Sequence, residues 1–327
     1  NYYPIYLLLR MRPKRKGIYS SKTINIQTSY SIKLITMSYL YAAKNLVVKL
    51  FSKRPIVKNV QIVQLQTSHI LEGRTALITG GTSGIGFAIA QAMLSAGAEV
   101  VITGRHEERL KEALSRLHQM FPHTAHLVHF IVMDNLETNL FAEKFEEAVS
   151  LTSNMKIDIL VNNAGVQSGV FGTTTEAQYD LVLDTNLKGV YFLSQLFAQY
   201  MRNNQIHGNI LNIASSSSLR PANSPYIISK WGIKGLTLGL AKMLIPYNIV
   251  VNGIAPGPTA TPMLHRDEMQ GIENDRNPMK RLVSPIEIAN MAVVLTSGLG
   301  RSVVGDIVYM TGGAGVITMD DVECNLK

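Results

Sequence analysis

The chain has very little cysteine and no long apolar run. Cys324 is the single cysteine among 327 residues, so an internal disulfide is excluded and we expect a reducing compartment, the cytoplasm. Although 46% of the residues are hydrophobic, no stretch reaches the roughly 18 unbroken apolar residues of a membrane-spanning helix. The composition therefore predicts a protein with a sizeable buried core and without a membrane-spanning segment.

Acidic residues are missing from the first 70 positions. Residues 1–70 contain 12 of the 31 Lys and Arg and none of the 23 Asp and Glu, which leaves residues 71–327 with a formal charge of −4. The net charge of +8 therefore belongs to an amino-terminal extension. Because the remaining domain lacks a basic excess, we expect no nucleic-acid partner.

The basic extension 1–70 divides into three segments. Residues 1–36 resemble a transit peptide, or alternatively sequence upstream of an internal start at Met37. Residues 38–54 place apolar side chains along one helical stripe beside lysines, which predicts an amphipathic helix. That helix either makes peripheral contact with an anionic membrane surface or docks on protein. Residues 57–67 predict a strand or an extended linker.

A glycine-rich loop opens the region 71–327, which we expect to be the catalytic domain. The loop follows an apolar strand at 75–78 and precedes a helical pattern at 87–94. Its glycines permit a tight turn, so that N–H groups at the start of the helix can face a pyrophosphate. The candidate cofactor contacts are Gly80, Thr82, Ser83, Gly84, Ile85 and Gly86.

Strands and helices alternate from Leu71 onward. This order predicts an α/β protein with a doubly wound parallel sheet, the Rossmann fold, in a single domain. No internal repeat interrupts it.

Arg105 stands at the end of the second predicted strand, 99–103. A dinucleotide-binding fold presents at this point the residue that contacts the adenosine ribose. An acidic residue there selects NAD(H), whereas an arginine can neutralise a 2′-phosphate. Arg105 therefore predicts NADP(H) as the preferred cofactor, with NAD(H) as the alternative. An arginine solvated at a strand end explains the same residue without a ligand.

Tyr226 and Lys230 are separated by four positions. On a helix this spacing places the phenol and the ammonium one turn apart on the same face. A nearby lysine charge favours the phenolate and brings the pKa of the tyrosine toward the range of a general acid or base. A half-buried tyrosine beside a solvated lysine has the same spacing, so the functional interpretation depends on the accompanying motifs.

These features together resemble the short-chain dehydrogenase/reductase family, and in particular its 3-oxoacyl-acyl-carrier-protein reductase-like members. The resemblance covers roughly residues 71–318. Its further motifs are Asn162-Asn163-Ala164-Gly165, Asn186, the strand 209–214 leading into serines 215–218, Pro256-Gly257, Thr261-Pro262-Met263, and Gly305 to Gly313.

The resemblance implies a catalytic tetrad of Asn186, Ser215, Tyr226 and Lys230. Tyr226 would be the general acid in reduction, and Lys230 would hold the nicotinamide ribose and lower the pKa of Tyr226. Ser215 would hydrogen-bond the substrate carbonyl, and Asn186 would hold a water that links Lys230 to solvent. The resemblance also implies cofactor contacts by Tyr226 and Lys230 themselves and by Asn163, Ala164, Gly165, Pro256, Gly257, Thr259 and Thr261.

Asp134 follows a predicted strand at 127–133, where the resemblance implies a contact with the adenine ring. A helix N-cap formed by Asp134 or Asn135, ahead of the helical pattern at 140–149, is the competing interpretation. The nearby histidines do not predict a metal site, because His126 and His129 would face opposite sides of a strand.

The choice of Ser215 rests on counting forward from the strand that ends at Ala214. The loop from there to Tyr226 is two residues shorter than the family's usual spacing, and counting back from the tyrosine selects Ile213, which has no hydroxyl. Ser216 and Ser217 therefore remain alternatives.

The leading functional interpretation is an NADP(H)-dependent oxidoreductase that reduces a carbonyl substrate. The alternatives are an alcohol or sugar dehydrogenase on the same scaffold and a cofactor-binding protein without turnover. Because every tetrad position is filled, catalysis is favoured. The resemblance also implies a small-molecule carbonyl or alcohol substrate and a homo-oligomer, either a tetramer or a dimer.

Overall fold

The structure is a computed structural model, and it describes residues 69–264 and 274–317. Four sequence-based interpretations lie outside the described residues: the transit-peptide-like segment 1–36, the amphipathic helix 38–54, the strand or linker 57–67, and Cys324. The description begins with a turn that carries Leu71, whose side chain is completely buried.

Seven parallel strands form one sheet in the order β3-β2-β1-β4-β5-β6-β7. The strands are β1 (Thr75–Thr79), β2 (Glu99–Gly104), β3 (Val128–Val132), β4 (Ile159–Asn162), β5 (Asn209–Ile213), β6 (Val250–Pro256) and β7 (Ile307–Met310). The order reverses between β1 and β4, where a doubly wound sheet opens a crevice at the carboxyl ends of its strands. The predicted doubly wound parallel sheet is confirmed.

Helices cover both faces of this sheet. They are α1 (Gly84–Ser95), α2 (Glu107–Met120), α3 (Phe141–Leu151), α4 (Glu176–Leu183), α5 (Gly189–Asn203), α6 (Pro225–Leu244) and α7 (Pro285–Thr296). A π-helical turn, Asp184–Lys188, joins α4 to α5. Helices α1, α2 and α7 pack on one face, and α3, α5 and α6 pack on the other.

Strand β1 shows why both faces must be covered. All five of its residues are buried, and successive side chains point to opposite faces of the sheet. Ala76 and Ile78 belong to the core under α1 and α7, whereas Leu77 belongs to the core under α3 and α5. A strand that is buried on both faces is stable only between two layers of helices.

A polar network fixes the amino ends of the central strands, opposite the crevice. Arg74 Nε donates to Asp158 Oδ2 (2.8 Å), and its Nη2 donates to Asn209 Oδ1 (2.9 Å). The backbone N–H of Thr75 donates to Asp158 Oδ1 at 3.0 Å. Because Asp158 is buried, its charge depends on these partners and on Lys156, whose Nζ lies 3.2 Å from Oδ2, so the network sets the relative positions of β1, β4 and β5.

Two further observations concern what the described residues do not contain. None of their helices combines the length and the apolar character needed to cross a membrane. Within the same ranges, no group of three or more His, Cys, Asp or Glu residues is arranged to hold a metal ion.

Candidate active site

The glycine loop packs as a cradle between β1 and α1. Gly80 and Gly84 have positive φ angles of 67° and 55°, a conformation that other residues rarely adopt. At Gly86 an added Cβ would lie 2.3 Å from the carbonyl oxygen of Gly80, so only glycine fits there. The loop can therefore bring its backbone close to a bound group.

The amino end of α1 provides anion-binding character above this cradle. Ser83 is the exposed N-cap residue, and within the described part of the chain no side chain caps the N–H groups that follow it. The first turn also lacks an acidic residue. N–H groups of Gly84, Ile85 and Gly86 are thus placed where a helix N-terminus attracts a phosphate.

The carboxyl end of β4 is tied to the glycine loop. Thr79 Oγ1 accepts hydrogen bonds from the N–H groups of Asn163 and Ala164, both at 3.0 Å. Asn163 Nδ2 donates to the carbonyl oxygens of Thr79 (2.9 Å) and Gly80 (3.1 Å). The Asn163 side chain thus shapes the loop, while Gly165 lies beside Asn186. Sequence reasoning missed Thr79, although its position immediately before the loop was a signal.

The predicted contacts for the adenosine end lie at neighbouring strand ends. Arg105 is exposed after β2 and forms no ion pair with another residue that the structure describes. Gly104 is less open than its lack of a side chain suggests, because an added Cβ would lie 3.2 Å from Thr82 Cγ2. A larger residue at Gly104 would press on Thr82 in the glycine loop.

Asp134 lies after β3 and is half-buried. Its Oδ1 accepts a hydrogen bond from the N–H of Leu136 at 3.0 Å, which closes a turn and leaves Oδ2 to face another group. The N-cap interpretation was wrong, because α3 begins at Phe141 and its N-cap is Leu140. Asn135 instead donates to the carbonyl oxygen of Thr185.

The segment after β6 closes the same cradle from the other side. At Gly257 an added Cβ would lie 2.7 Å from Thr311 Cα, so Pro256-Gly257 needs its small residue for packing. Thr259 Oγ1 donates to the carbonyl oxygen of Gly257 at 2.9 Å. Thr261 lies against the glycine loop, with its Cγ2 3.4 Å from the position of a Cβ on Gly84.

Helix α6 carries the tyrosine and lysine in its first two turns. Ser224 caps the helix by accepting from the N–H of Ile227 (3.3 Å), and Pro225 occupies the first helical position, where its missing N–H is not needed. Lys230 is buried, and its Nζ donates to the carbonyl oxygen of Ile213 at 2.8 Å. Nζ lies 5.7 Å from the centre of the Tyr226 ring.

The ionisation of the two groups follows from burial. Burial raises the pKa of the Tyr226 phenol above 10, and a hydrogen bond with the Ser215 hydroxyl lowers it by less. Burial lowers the pKa of Lys230 from 10.5 to about 8. The expected lowering of the Tyr226 pKa by Lys230 is therefore not what sets that pKa in this structure. At neutral pH the phenol keeps its proton and the lysine keeps its charge.

Ser215 is the serine that the fold brings to Tyr226. It is buried at the end of β5 and caps a short helical turn, Ser216–Leu219, by accepting from the N–H of Ser217 at 3.1 Å. Its hydroxyl lies close enough to the Tyr226 phenol to lower the pKa of that group. The Ser218 hydroxyl is bonded to the carbonyl oxygen of Ser215 at 2.8 Å. The sequence alone could not distinguish these hydroxyls, because the turn after β5 decides which one faces the phenol.

Asn186 lies in the middle of the π-helical turn and is buried. Its Oδ1 accepts from the N–H of Val166 (2.8 Å), and its Nδ2 donates to the carbonyl oxygen of Val166 (2.9 Å) and to Ser229 Oγ (3.2 Å). These bonds use both hydrogens of Nδ2 and one lone pair of Oδ1. The predicted water link from Asn186 to Lys230 stays a prediction. Ser229 was not predicted; its place beside Lys230 was the available signal.

The arrangement defines a dinucleotide-binding α/β protein whose crevice holds a hydroxyl, a phenol and an ammonium group within one small site. The chain matches the family described as short chain dehydrogenase over residues 74–270. It is 34% identical over 250 residues to a 3-oxoacyl-(acyl-carrier-protein) reductase of Aquifex aeolicus, an alignment that covers 74% of this chain and 98% of that protein. The chain therefore belongs to the short-chain dehydrogenase/reductase family of oxidoreductases.

Solved structures agree with this assignment. A 3-ketoacyl-(acyl-carrier-protein) reductase from Brucella melitensis, complexed with NADH, superposes with a TM-score of 0.67 at 27% identity, covering 75% of this chain and all of that one. A gluconate 5-dehydrogenase from Burkholderia cenocepacia, in complex with NADP and tartrate, superposes with a TM-score of 0.66 at 29% identity, covering 76% and 97%. The family and the reductase-like resemblance predicted from the sequence are confirmed.

Proposed function

We propose that this protein is an NADP(H)-dependent carbonyl reductase that acts on 3-oxoacyl thioesters. The observation that carries the proposal is the joint placement of Ser215, Tyr226 and Lys230. The Ser215 hydroxyl lies near enough to the phenol to lower its pKa, and the ammonium of Lys230, one helical turn beyond Tyr226, donates to the carbonyl oxygen of Ile213. The identity to the Aquifex aeolicus reductase supports the thioester substrate.

The cradle fits a nicotinamide dinucleotide. A pyrophosphate is an anion, and it suits the uncapped amino end of α1 above glycines that positive φ angles or close packing keep free of side chains. We assign the phosphate contacts to residues 80–86, the adenine contact to Asp134 and the 2′-phosphate contact to Arg105. Residues 163–165 and the segment from Pro256 to Thr261 would line the nicotinamide half. When bound, the cofactor supplies the hydride.

In the proposed mechanism the protein stabilises and then protonates the substrate oxygen. Negative charge develops on that oxygen during reduction, and the Ser215 hydroxyl is placed to donate a hydrogen bond to it. The Tyr226 phenol, whose pKa burial raises still further above neutral pH, keeps its proton at pH 7 and donates it to that oxygen. Lys230, with a pKa of about 8, remains charged at neutral pH and stabilises the tyrosinate that is left.

Steady-state kinetics on a substrate panel test this proposal. Acetoacetyl-CoA, 5-keto-D-gluconate and a simple ketone would each be offered with NADPH and with NADH, and turnover followed by nicotinamide absorbance. Tyr226→Phe should lower kcat at least about 100-fold, because a positioned general acid is lost. The Kd of NADPH should stay nearly unchanged. Tyr179→Phe, at an exposed tyrosine of α4, is the matched control.

The outcomes separate the candidate functions. Preference for acetoacetyl-CoA supports the thioester reductase, whereas preference for 5-keto-D-gluconate supports a sugar dehydrogenase, the second candidate, which is favoured by the likeness to the gluconate 5-dehydrogenase. NADPH binding without any turnover supports a non-catalytic scaffold. Near wild-type turnover by Tyr226→Phe would contradict the assigned acid.

We also propose that a second copy of the chain packs on the outer face of α5 and α6. This face exposes large apolar side chains that a water-facing surface would not favour, and they line two adjoining grooves that share Tyr191 and Leu236. A face of this kind can pair with itself about a twofold axis. Phe192→Lys should therefore reduce the molar mass in light scattering, whereas Leu151→Lys, on α3, should not. An unchanged mass for Phe192→Lys would contradict this interface.

A further inference from the structure

Ser229 is a completely buried hydroxyl between the two reacting residues of α6. Its Oγ donates to the carbonyl oxygen of Tyr226 at 2.7 Å and accepts from Asn186 Nδ2 at 3.2 Å. The proposed chemistry assigns it no contact with substrate or cofactor. It is nevertheless the point at which the first turn of α6 is joined to another element by a side-chain hydrogen bond.

Asn186, the hydrogen-bond partner of Ser229, makes three hydrogen bonds with its side chain. Asn186 makes two hydrogen bonds to the backbone of Val166, in the loop after β4, and its third goes to Ser229. The loop, the π-helical turn and α6 are thus linked through one amide. A buried amide with all its partners present has one stable orientation, so displacement of Ser229 would be transmitted to both other segments.

The first turn of α6 needs such an anchor. Tyr226 is the second residue of the helix, where the backbone N–H groups have no partner within the helix. The N-cap hydrogen bond from the Ile227 N–H to Ser224 Oγ is long, at 3.3 Å, so other contacts must help to hold the first turn of α6. The Tyr226 phenol must nevertheless stay near Ser215, which follows β5 and does not belong to α6.

We propose that Ser229 is a positioning residue, which through Asn186 holds the first turn of α6 so that the Tyr226 side chain keeps its position in the site. The proposal rests on the proposed function only for the consequence in catalysis. Its geometric content, that Ser229 controls the environment of the phenol, holds for any activity of the site.

Thr237 provides a matched control on the same helix. It is also completely buried, its Oγ1 donates to the carbonyl oxygen of Ile233 at 2.8 Å, and it accepts from Asn212 Nδ2 at 2.9 Å. It thus repeats the bonding pattern of Ser229, two turns beyond Lys230. If the hydroxyl of Ser229 served stability alone, Ser229→Ala and Thr237→Val should have the same consequences.

The deciding measurement is the titration of Tyr226. Full-length protein labelled with 3-fluorotyrosine would be followed by ¹⁹F NMR, and the Tyr226 signal identified by its absence in Tyr226→Phe. Ser229→Ala should raise the pKa of this group by about 0.5 to 1 unit, because the phenol would move away from the Ser215 hydroxyl that lowers its pKa. Ser229→Cys, which keeps a weaker hydrogen-bonding group, should give a smaller rise, and Thr237→Val should give none.

Kinetics provide the second measurement, on whichever probe substrate the wild-type protein reduces. Ser229→Ala should lower kcat about tenfold or more with the Kd of NADPH nearly unchanged, since a small displacement of the acid costs rate rather than binding. Thr237→Val should retain the wild-type kcat. If the protein reduced no probe, the proposed function would fail while the ¹⁹F titration would still decide this proposal. A Tyr226 pKa that is the same in wild type, Ser229→Ala and Thr237→Val would overturn it.

Discussion

Replacing Lys230 by methionine should stabilise the protein at neutral pH while abolishing its activity. Methionine has a similar length and no charge, so it fills the same space beside Tyr226. Burial lowers the pKa of Lys230 from 10.5 to about 8, which shows that the folded protein holds this charge at a cost. The residue that the proposed mechanism needs is thus one that the fold would be more stable without.

The magnitude follows from linkage. A pKa drop from 10.5 to about 8 corresponds to a cost of about 3 kcal/mol at pH values below 8, where the lysine is charged in both states. The lost bond from Nζ to the carbonyl oxygen of Ile213 offsets about 1 kcal/mol of this gain. A net gain of about 1 to 2 kcal/mol should raise Tm by a few degrees.

The pH dependence gives the sharper test. Because the folded pKa is the lower one, the cost is fully present below pH 8, shrinks as pH rises, and vanishes above about 10.5. Urea unfolding of Lys230→Met and wild type at fixed protein concentration should therefore show a difference that narrows between pH 8 and pH 10. Lys234→Met, which removes a lysine lying over the rings of Trp231 and Tyr309, should give no such gain. A Lys230→Met protein less stable than wild type at pH 7 would refute the reasoning.

Three further outcomes are expected. Arg105→Leu should shift the ratio of kcat/KM for NADPH over NADH toward NADH by about 1 to 3 kcal/mol, and equal kcat/KM values for the two cofactors in wild type would contradict the role of Arg105. Gly86→Ala should weaken NADPH binding in calorimetry and lower Tm, because its Cβ would collide with the carbonyl oxygen of Gly80; unchanged affinity would be the contrary result. A truncated chain beginning at Ser68 should keep wild-type kcat, because every assigned site residue lies between Gly80 and Thr261, and an inactive but folded product would show that the extension reaches the site.

The sheet and the helices around it could be predicted from local pattern. Buried strands such as β1 are unbroken apolar runs, and the glycine loop that follows marks the strand-to-helix turn whatever its tertiary context. Tyr226 and Lys230 were predicted for the same reason, since four positions on one helix fix their relation. Features with a short-range cause are readable in the sequence.

Features that depend on contacts between distant parts of the chain could not be predicted from the sequence. The buried state of Lys230 depends on Ile213, seventeen positions away on a strand, and its acceptor is a backbone carbonyl that any residue could supply. Ser215 could not be separated from its neighbours because a serine run offers identical hydroxyls until a turn orients them. The helix-cap alternative for Asp134 could not be excluded from the sequence because a turn and a cap use the same carboxylate bond, and only the start of α3 distinguishes them.

The strand order also has a consequence for the growing polypeptide. Strand β1 pairs with β2 and β4, but β4 leaves the ribosome about 80 residues later, after β3 and α3. Until then one side of a strand that is completely buried in the folded protein has no neighbour, and unpaired edges of this kind invite association between nascent chains. Asp158, the anchor for Arg74, arrives with β4 and closes that side. During synthesis the edge of β1 therefore stays open to association with other nascent chains until β4 is added. Slower translation of residues 80–158 would lengthen this period.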